Sequence, residues 1–218
     1  MPRFDAVVFD MDGVLIDSEP LHFTVANEVL ADYGGLSREE NEAFIGTTTE
    51  FFWDTLIPRR GLPKTRAFYE ARYDEAVLRI LRQPWPACPG VPELVAHLRA
   101  LGVRLALASS AKRTWIDATL LSIGLHGGFE AIVAGDEVTH GKPDPEIYTL
   151  AAQRLALPPA LCLAIEDSPN GVLSARHAGM TVLGVRTPYT AHLTLDGATH
   201  IVNSLADFDL RGDPFASL

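Results

Sequence analysis

Residues 4–15 read Phe4-Asp5-Ala6-Val7-Val8-Phe9-Asp10-Met11-Asp12-Gly13-Val14-Leu15. A short apolar run, Ala6 to Phe9, stops at two aspartates one residue apart, and a glycine follows. A buried strand that ends in two carboxylates sets charge at the rim of a sheet. In open α/β sheets, ligands bind beyond the carboxyl ends of the strands. Acids placed there hold a metal ion, attack an electrophile or pass a proton. The rest of the chain decides among these roles.

Strand-like runs recur at Ala6–Asp10, Val103–Ser109, Ala131–Ala134, Leu161–Glu166, Thr181–Val185 and His200–Val202. From Val91 onward they alternate with helical patterns at Pro92–Leu101, Trp115–Ile123, Pro145–Leu155 and Pro169–Ala178. Such alternation implies right-handed βαβ units, hence a Rossmann-like parallel sheet with helices on both faces. Between the first two strands the rhythm breaks. Helices are expected there at Leu21–Tyr33, Arg38–Phe44, Thr49–Ile57 and Thr65–Leu81, with breaks at Gly34-Gly35, at Gly46 and from Pro58 to Pro63. The run Pro84-Trp85-Pro86-Ala87-Cys88-Pro89-Gly90 reads as a stiff connector. The expected division is an α/β core of residues 1–17 and 88–218 and an inserted helical cap of residues 18–87.

The 218 residues are 47% apolar, enough for a sizeable core, and carry 18 basic against 28 acidic side chains, a net charge of −10. This balance argues against a nucleic-acid partner. Any anionic substrate must find its positive field in a metal, a few cations and helix N-termini. Cys88 and Cys162 are far apart and read as ordinary thiols. The N-terminal apolar run is too short for a signal peptide, and no apolar stretch nears the ~20 residues that span a bilayer. A cytoplasmic protein with no membrane partner is expected, with monomer as the default.

The later strand ends add chemistry. Val103–Ala108 runs into Ser109-Ser110, where hydroxyls and free backbone N–H groups suit a phosphate. Simple N-capping of the next helix is the plainer explanation of those serines. Next comes Gly141-Lys142-Pro143-Asp144-Pro145. Pro143 holds Lys142 extended, while Asp144 and Pro145 suit the N-cap and first position of a helix. The fourth strand ends in Glu166-Asp167-Ser168-Pro169, again two acids followed by a capping pattern. Carboxylates at two strand ends, with a hydroxyl and a lysine nearby, suit Mg²⁺, a hard cation that binds phosphate oxygens as well.

In their order and residue types, Asp10-Met11-Asp12-Gly13-Val14, Ser109, Lys142-Pro143 and Glu166-Asp167-Ser168 resemble the haloacid dehalogenase superfamily. Asp17-Ser18-Glu19-Pro20-Leu21-His22 is similar to the subgroup with a helical cap that holds β-phosphoglucomutase and many metabolite phosphatases. The resemblance implies that Asp10 attacks phosphorus and forms an aspartyl-phosphate, while Asp12 protonates the leaving group and then activates water. It implies Mg²⁺ held by Asp10, the Asp12 backbone carbonyl and Asp167, with Glu166 as ligand or support. Ser109, Ser110 and Lys142 would hold phosphate oxygens, and His22 would contact substrate. The expected enzyme hydrolyses a small phosphorylated metabolite, a sugar or polyol phosphate.

The nearest alternative is a phosphosugar mutase, whose cap must grip a second phosphate. There β-phosphoglucomutase has an arginine three residues after a cap glycine; here Gly46-Thr47-Thr48-Thr49 has threonine, which favours a hydrolase, although Arg59, Arg60 or Arg66 offers a substitute. A metal-free dehalogenase leaves Asp12 and the Glu166-Asp167 pair without work. A receiver-type signalling domain carries its aspartate in mid-domain and has no cap. An inactive member acting as a binding protein is disfavoured because every expected catalytic position is filled. His97, His126, His140, His177, His192 and His200 show no ligand spacing, Phe51, Phe52 and Trp53 read as cap core, and the acidic residues 207–213 read as a solvated tail.

Overall fold

The computed structural model describes residues 3–45, 47–190 and 193–216; Gly46 and His192 lie outside the described residues. In chain order the elements are β1 (Ala6–Phe9), α1 (Glu19–Val29), α2 (Arg38–Glu42), α3 (Thr49–Arg60), α4 (Arg66–Ile80), α5 (Val91–Ala100), β2 (Arg104–Ser109), α6 (Arg113–Ser122), β3 (Ala131–Ala134), α7 (Glu146–Arg154), β4 (Cys162–Glu166), α8 (Pro169–His177), β5 (Thr181–Val185) and β6 (His200–Val202). The chain divides into two compact units, Met1–Asp17 with Pro84–Leu218, and Ser18–Gln83.

The first unit is built on one sheet in the order β3-β2-β1-β4-β5-β6, with every neighbouring pair parallel. The period of two along each strand sorts its side chains between two cores. Val7, Phe9, Leu105, Leu107, Leu163 and Ile165 meet α5 and α6 on one face. Ala6, Val8, Ala106, Ala108, Cys162 and Ala164 meet α7 and α8 on the other. Both faces are buried, so the central strands are apolar throughout, as parallel strands must be. The second face is rich in alanine, which lets α7 and α8 lie close to the sheet. Strand order reverses between β1 and β4, and the crevice at such a switch point is where ligands bind in this architecture.

Several expectations need correction. The domain boundary lies at 83/84, not 87/88. The proline-rich run is tied to the α/β unit: Trp85 N–H donates to the Ser122 carbonyl at 3.2 Å, Ala87 bridges to Ile16, and Cys88 N–H donates to the Leu15 carbonyl at 2.8 Å. Pro58 does not end a helix. It sits in the last turn of α3, which runs on to Arg60 and stops at the left-handed Gly61. Only one backbone bond is lost to the proline there, near a terminus that frays anyway. Residues 207–213 are not a simple solvated tail either. Asp213 accepts the Arg3 N–H at 2.6 Å, and Phe215, just beyond, is buried with Leu205 in the first core. The apolar residues between the acids are the signal that a charge-based reading passes over.

The second unit is helical. Here α1 and α3 pack on α4, and the buried Trp53 stacks on Tyr69 at 5.2 Å and meets the edge of Phe52 at 4.7 Å. Phe51, by contrast, is exposed. Cys88 and Cys162 are free thiols. Among the described residues no helix is long and apolar enough to cross a membrane.

Phe215→Ala should lower the unfolding free energy by about 3–5 kcal/mol, the usual loss for a buried phenylalanine. A urea midpoint unchanged from the parent would show that the C-terminal segment is not part of the core.

Candidate active site

The site forms where β1, β2 and β4 end side by side. Phe9 pairs with Leu107 on one side and with Ile165 on the other, so Asp10, Ala108 and Glu166 emerge at one level. The Lys142 ammonium joins all three. It donates to Asp10 Oδ1 at 2.7 Å, to Glu166 Oε1 at 2.5 Å and to the Ala108 carbonyl at 3.2 Å. The lysine is placed by the segment before α7, where the Lys142–Pro143 peptide bond is cis. Asp144 does not cap α7 in the expected way. The N-cap residue is Pro145, one position later, and Asp144 Oδ1 accepts the Glu146 N–H at 2.9 Å.

Glu166 is completely buried and committed to protein donors. Its Oε1 takes Lys142 and the Tyr148 hydroxyl, the latter at 2.8 Å; its Oε2 takes Asp167 N–H, Ser168 N–H and Ser168 Oγ at 3.1–3.2 Å. A Cβ at position 171 would overlap this carboxylate, so the glycine in the first turn of α8 is a packing requirement. Asp167 is similarly crowded from the other side. Gly13, at φ +75°, lies so near that a Cβ there would overlap the Asp167 carboxylate. The turn Asp12–Ile16 is closed by Gly13 N–H to the Ile16 carbonyl at 2.8 Å.

Ser109 ends β2, is buried, and its Oγ accepts the Ala111 N–H at 3.1 Å. Ser110 is exposed. Neither caps α6, whose N-cap is Lys112 with no side-chain bond, so the capping explanation of these serines fails. Of the residues expected at the site, Asp10, Lys142, Glu166, Asp167 and Ser109 are thus brought to the ends of three adjoining strands, with Asp12 two residues on. His22 lies in the helical unit on α1, its Nδ1 2.8 Å from the Tyr73 hydroxyl, beside a cavity of about 90 Å³ of mixed lining, with Asn41 and Thr48 among its polar residues and Phe44 and Phe52 among its apolar ones. Sequence reasoning missed Tyr148 and Gly171. Tyr148 is hidden by its ordinary helical spacing; Gly171, a poor helix former just inside α8, was a visible signal.

The electrostatics follow from burial. Burial pushes the Asp10 carboxyl up to about 8; Lys142 opposes that rise, and Glu166 and Asp12 add to it. Asp167 is raised well above the usual carboxylate range, first by burial and then by Glu166, Asp10 and Asp12. Burial would lower the Lys142 pKa, but Asp10 and Glu166 outweigh it and hold the ammonium charged. Tyr148 stays a neutral donor, raised by burial and by Glu166. One cation therefore faces several acids. Oxygens of Asp10, Glu166 and Asp167 lie within 4.8 Å of one another. Buried like charges at this spacing need more positive charge than one lysine provides. A hard oxygen donor set with surplus negative charge fits Mg²⁺. Because Glu166 already has five protein donors, Asp10 and Asp167 are the carboxylates with oxygens to offer.

Residues 4–179 match the family of haloacid dehalogenase-like hydrolases. The chain belongs to this family. It is similar to the phosphorylated carbohydrates phosphatase of Thermotoga maritima, 33% identical and covering 81% of this chain and 82% of that one. A protein of Drosophila melanogaster described as a probable pseudouridine-5′-phosphatase is 36% identical, over 92% of this chain and 90% of its own. The crystal structure of CbbY from Rhodobacter sphaeroides in complex with phosphate superposes with a TM-score of 0.85 at 31% identity, covering 94% of this chain and 96% of that chain. The family and the fold agree with those expected from the sequence.

The raised Asp10 and Asp167 pKa values fix the sign of a pH effect. The metal-free fold keeps protons that the unfolded chain releases above pH ~4, so stability should fall as pH rises towards 8. Thermal unfolding in chelator should show a lower Tm at pH 8 than at pH 6. Added Mg²⁺ should raise Tm more at pH 8, where protons no longer compete. A flat profile with no response to Mg²⁺ would refute this charge balance.

Proposed function

We propose that this hydrolase is a Mg²⁺-dependent phosphomonoesterase acting on a small phosphorylated metabolite, of the sugar or polyol phosphate class, through an aspartyl-phosphate on Asp10. The observation that carries the reading is the buried Lys142 ammonium 2.7 Å from Asp10 Oδ1, at the strand ends where Ser109 and Asp167 also lie. A carboxylate so paired is aimed and kept available as a nucleophile. The phosphatase relatives support the reaction class, and phosphate in the CbbY crystal supports an anion site in this fold.

In this reading the Asp10 carboxylate oxygen attacks phosphorus, and the bond from phosphorus to the leaving oxygen breaks. Asp12 gives that oxygen a proton. Asp12 then takes a proton from water, which attacks the same phosphorus and frees Asp10. Lys142 and Ser109 hold phosphate oxygens throughout, with Ser110 beside them. Mg²⁺, when held by Asp10, Asp167 and the Asp12 backbone carbonyl, supplies positive charge that keeps Asp10 ionised and offsets the phosphate dianion. Glu166 holds Lys142 in place. The helical unit is taken as the cap expected from the sequence, the part of the chain that chooses the organic group of the substrate.

Two of the three arginines that could grip a second phosphate are engaged elsewhere, which favours a hydrolase over a mutase. Arg60 is bound to the Gly35 carbonyl and to Glu40, and Arg66 to Glu50 at 2.7 Å and Asp54 at 2.9 Å.

A phosphate-release screen over phosphorylated sugars, polyols and nucleotides should find a Mg²⁺-dependent substrate, silenced by EDTA. Asp10→Asn should lose at least about a thousandfold in kcat while folding normally. Retained turnover in Asp10→Asn removes Asp10 as the nucleophile; isomerised substrate without released phosphate makes the enzyme a mutase.

A further inference from the structure

Tyr148 takes no part in the mechanism above, yet it is completely buried and points its hydroxyl at the site. It is the third residue of α7 and packs in the alanine-rich core. Its hydroxyl donates to Glu166 Oε1 at 2.8 Å. The Lys142 ammonium lies 3.4 Å from the same hydroxyl and 5.1 Å from the centre of its ring. One side chain therefore contacts both the ammonium and the carboxylate that shares it with Asp10.

The lysine stem has four rotatable bonds, so the place of its ammonium is set by what surrounds it. Glu166 Oε2 is fully engaged by the turn after β4, which fixes one end of that carboxylate. The other oxygen is divided between Tyr148 and Lys142. Without the phenol, Oε1 keeps only the ammonium, and its pull on that ammonium is no longer tempered. Asp10 would then lose its share of the positive charge.

We infer that Tyr148 is a positioning residue for the phosphoryl transfer proposed above: its hydroxyl divides Glu166 Oε1 with Lys142, and this holds the ammonium on Asp10. The inference rests on that reading for its catalytic consequence but not for its geometry. The ring itself walls the ammonium from the alanine-rich core and makes a cation–π contact that survives loss of the hydroxyl.

The test is a double-mutant cycle on Tyr148→Phe and Lys142→Met with Mg²⁺ present. Two readouts are used: hydrolysis of an aryl phosphate, and affinity for inorganic phosphate by calorimetry, which remains measurable when turnover is slow. Tyr148→Phe should lower kcat/KM about tenfold when Lys142 is present, and weaken phosphate in parallel. With Lys142→Met already in place, the same change should do less than about twofold, because residues acting through one another are not additive. Equal losses in both backgrounds, or no loss in either, overturn the inference. A crystal structure of Tyr148→Phe separates this idea from the proposed function. Lys142 Nζ should move beyond about 3.5 Å, hydrogen-bond reach, from Asp10 Oδ1. An unmoved lysine overturns the positioning role whatever the enzyme hydrolyses, whereas a moved lysine in a protein with no phosphatase activity leaves the geometry standing and removes the reaction.

Discussion

A single buried ammonium, that of Lys142, draws together the ends of β1, β2 and β4 through Asp10, the Ala108 carbonyl and Glu166. Burying any one of these charges alone would be costly; together they are tolerable because the cation is shared. The sharing is incomplete, since Asp12 and Asp167 add further acids to the same region. The remaining negative imbalance suits a divalent cation and, without added positive charge, would repel an anionic substrate.

The rest of the α/β unit keeps this contact in register. Parallel pairing sets Phe9 level with Leu107 and Ile165, so the three strands finish together. The small side chains of Ala6, Ala106, Ala108 and Ala164 allow α7 close enough for Tyr148 to reach Glu166. Gly13 and Gly171 leave room for Asp167 and Glu166 respectively, where any side chain would collide. Backbone space, apolar packing and charge are thus solved at the same few positions. Substitutions there act on stability and chemistry at once, which is why variants must be judged by more than lost activity.

Much of this was legible in the sequence because strand ends carry their own marks. Asp10-Met11-Asp12-Gly13 and Glu166-Asp167 interrupt apolar runs abruptly, and an interruption is visible without a structure. The strands β3, β5 and β6 begin and end as their apolar runs do. The partners of those acids were harder to see. Nothing local distinguishes Tyr148 from other core aromatics, because its hydroxyl matters only once α7 is laid on the sheet. Glu166 was expected as a metal ligand or a support; Lys142 and Tyr148, from elsewhere in the chain, take one of its oxygens, and the turn after β4 takes the other. The buried Phe215 was masked by the charges before it. In each case the missing information is a contact between residues distant in sequence, which periodicity does not encode.

The central claim is that Asp10, aimed by Lys142, becomes covalently phosphorylated. Borohydride reduction of the enzyme, quenched during turnover and digested for mass spectrometry, tests it most directly, because an acyl phosphate is reduced to the alcohol. The account predicts homoserine at position 10, dependent on substrate and Mg²⁺. Homoserine at Asp12 or Asp167 instead, or at no aspartate in an enzyme that is demonstrably turning over, would contradict it.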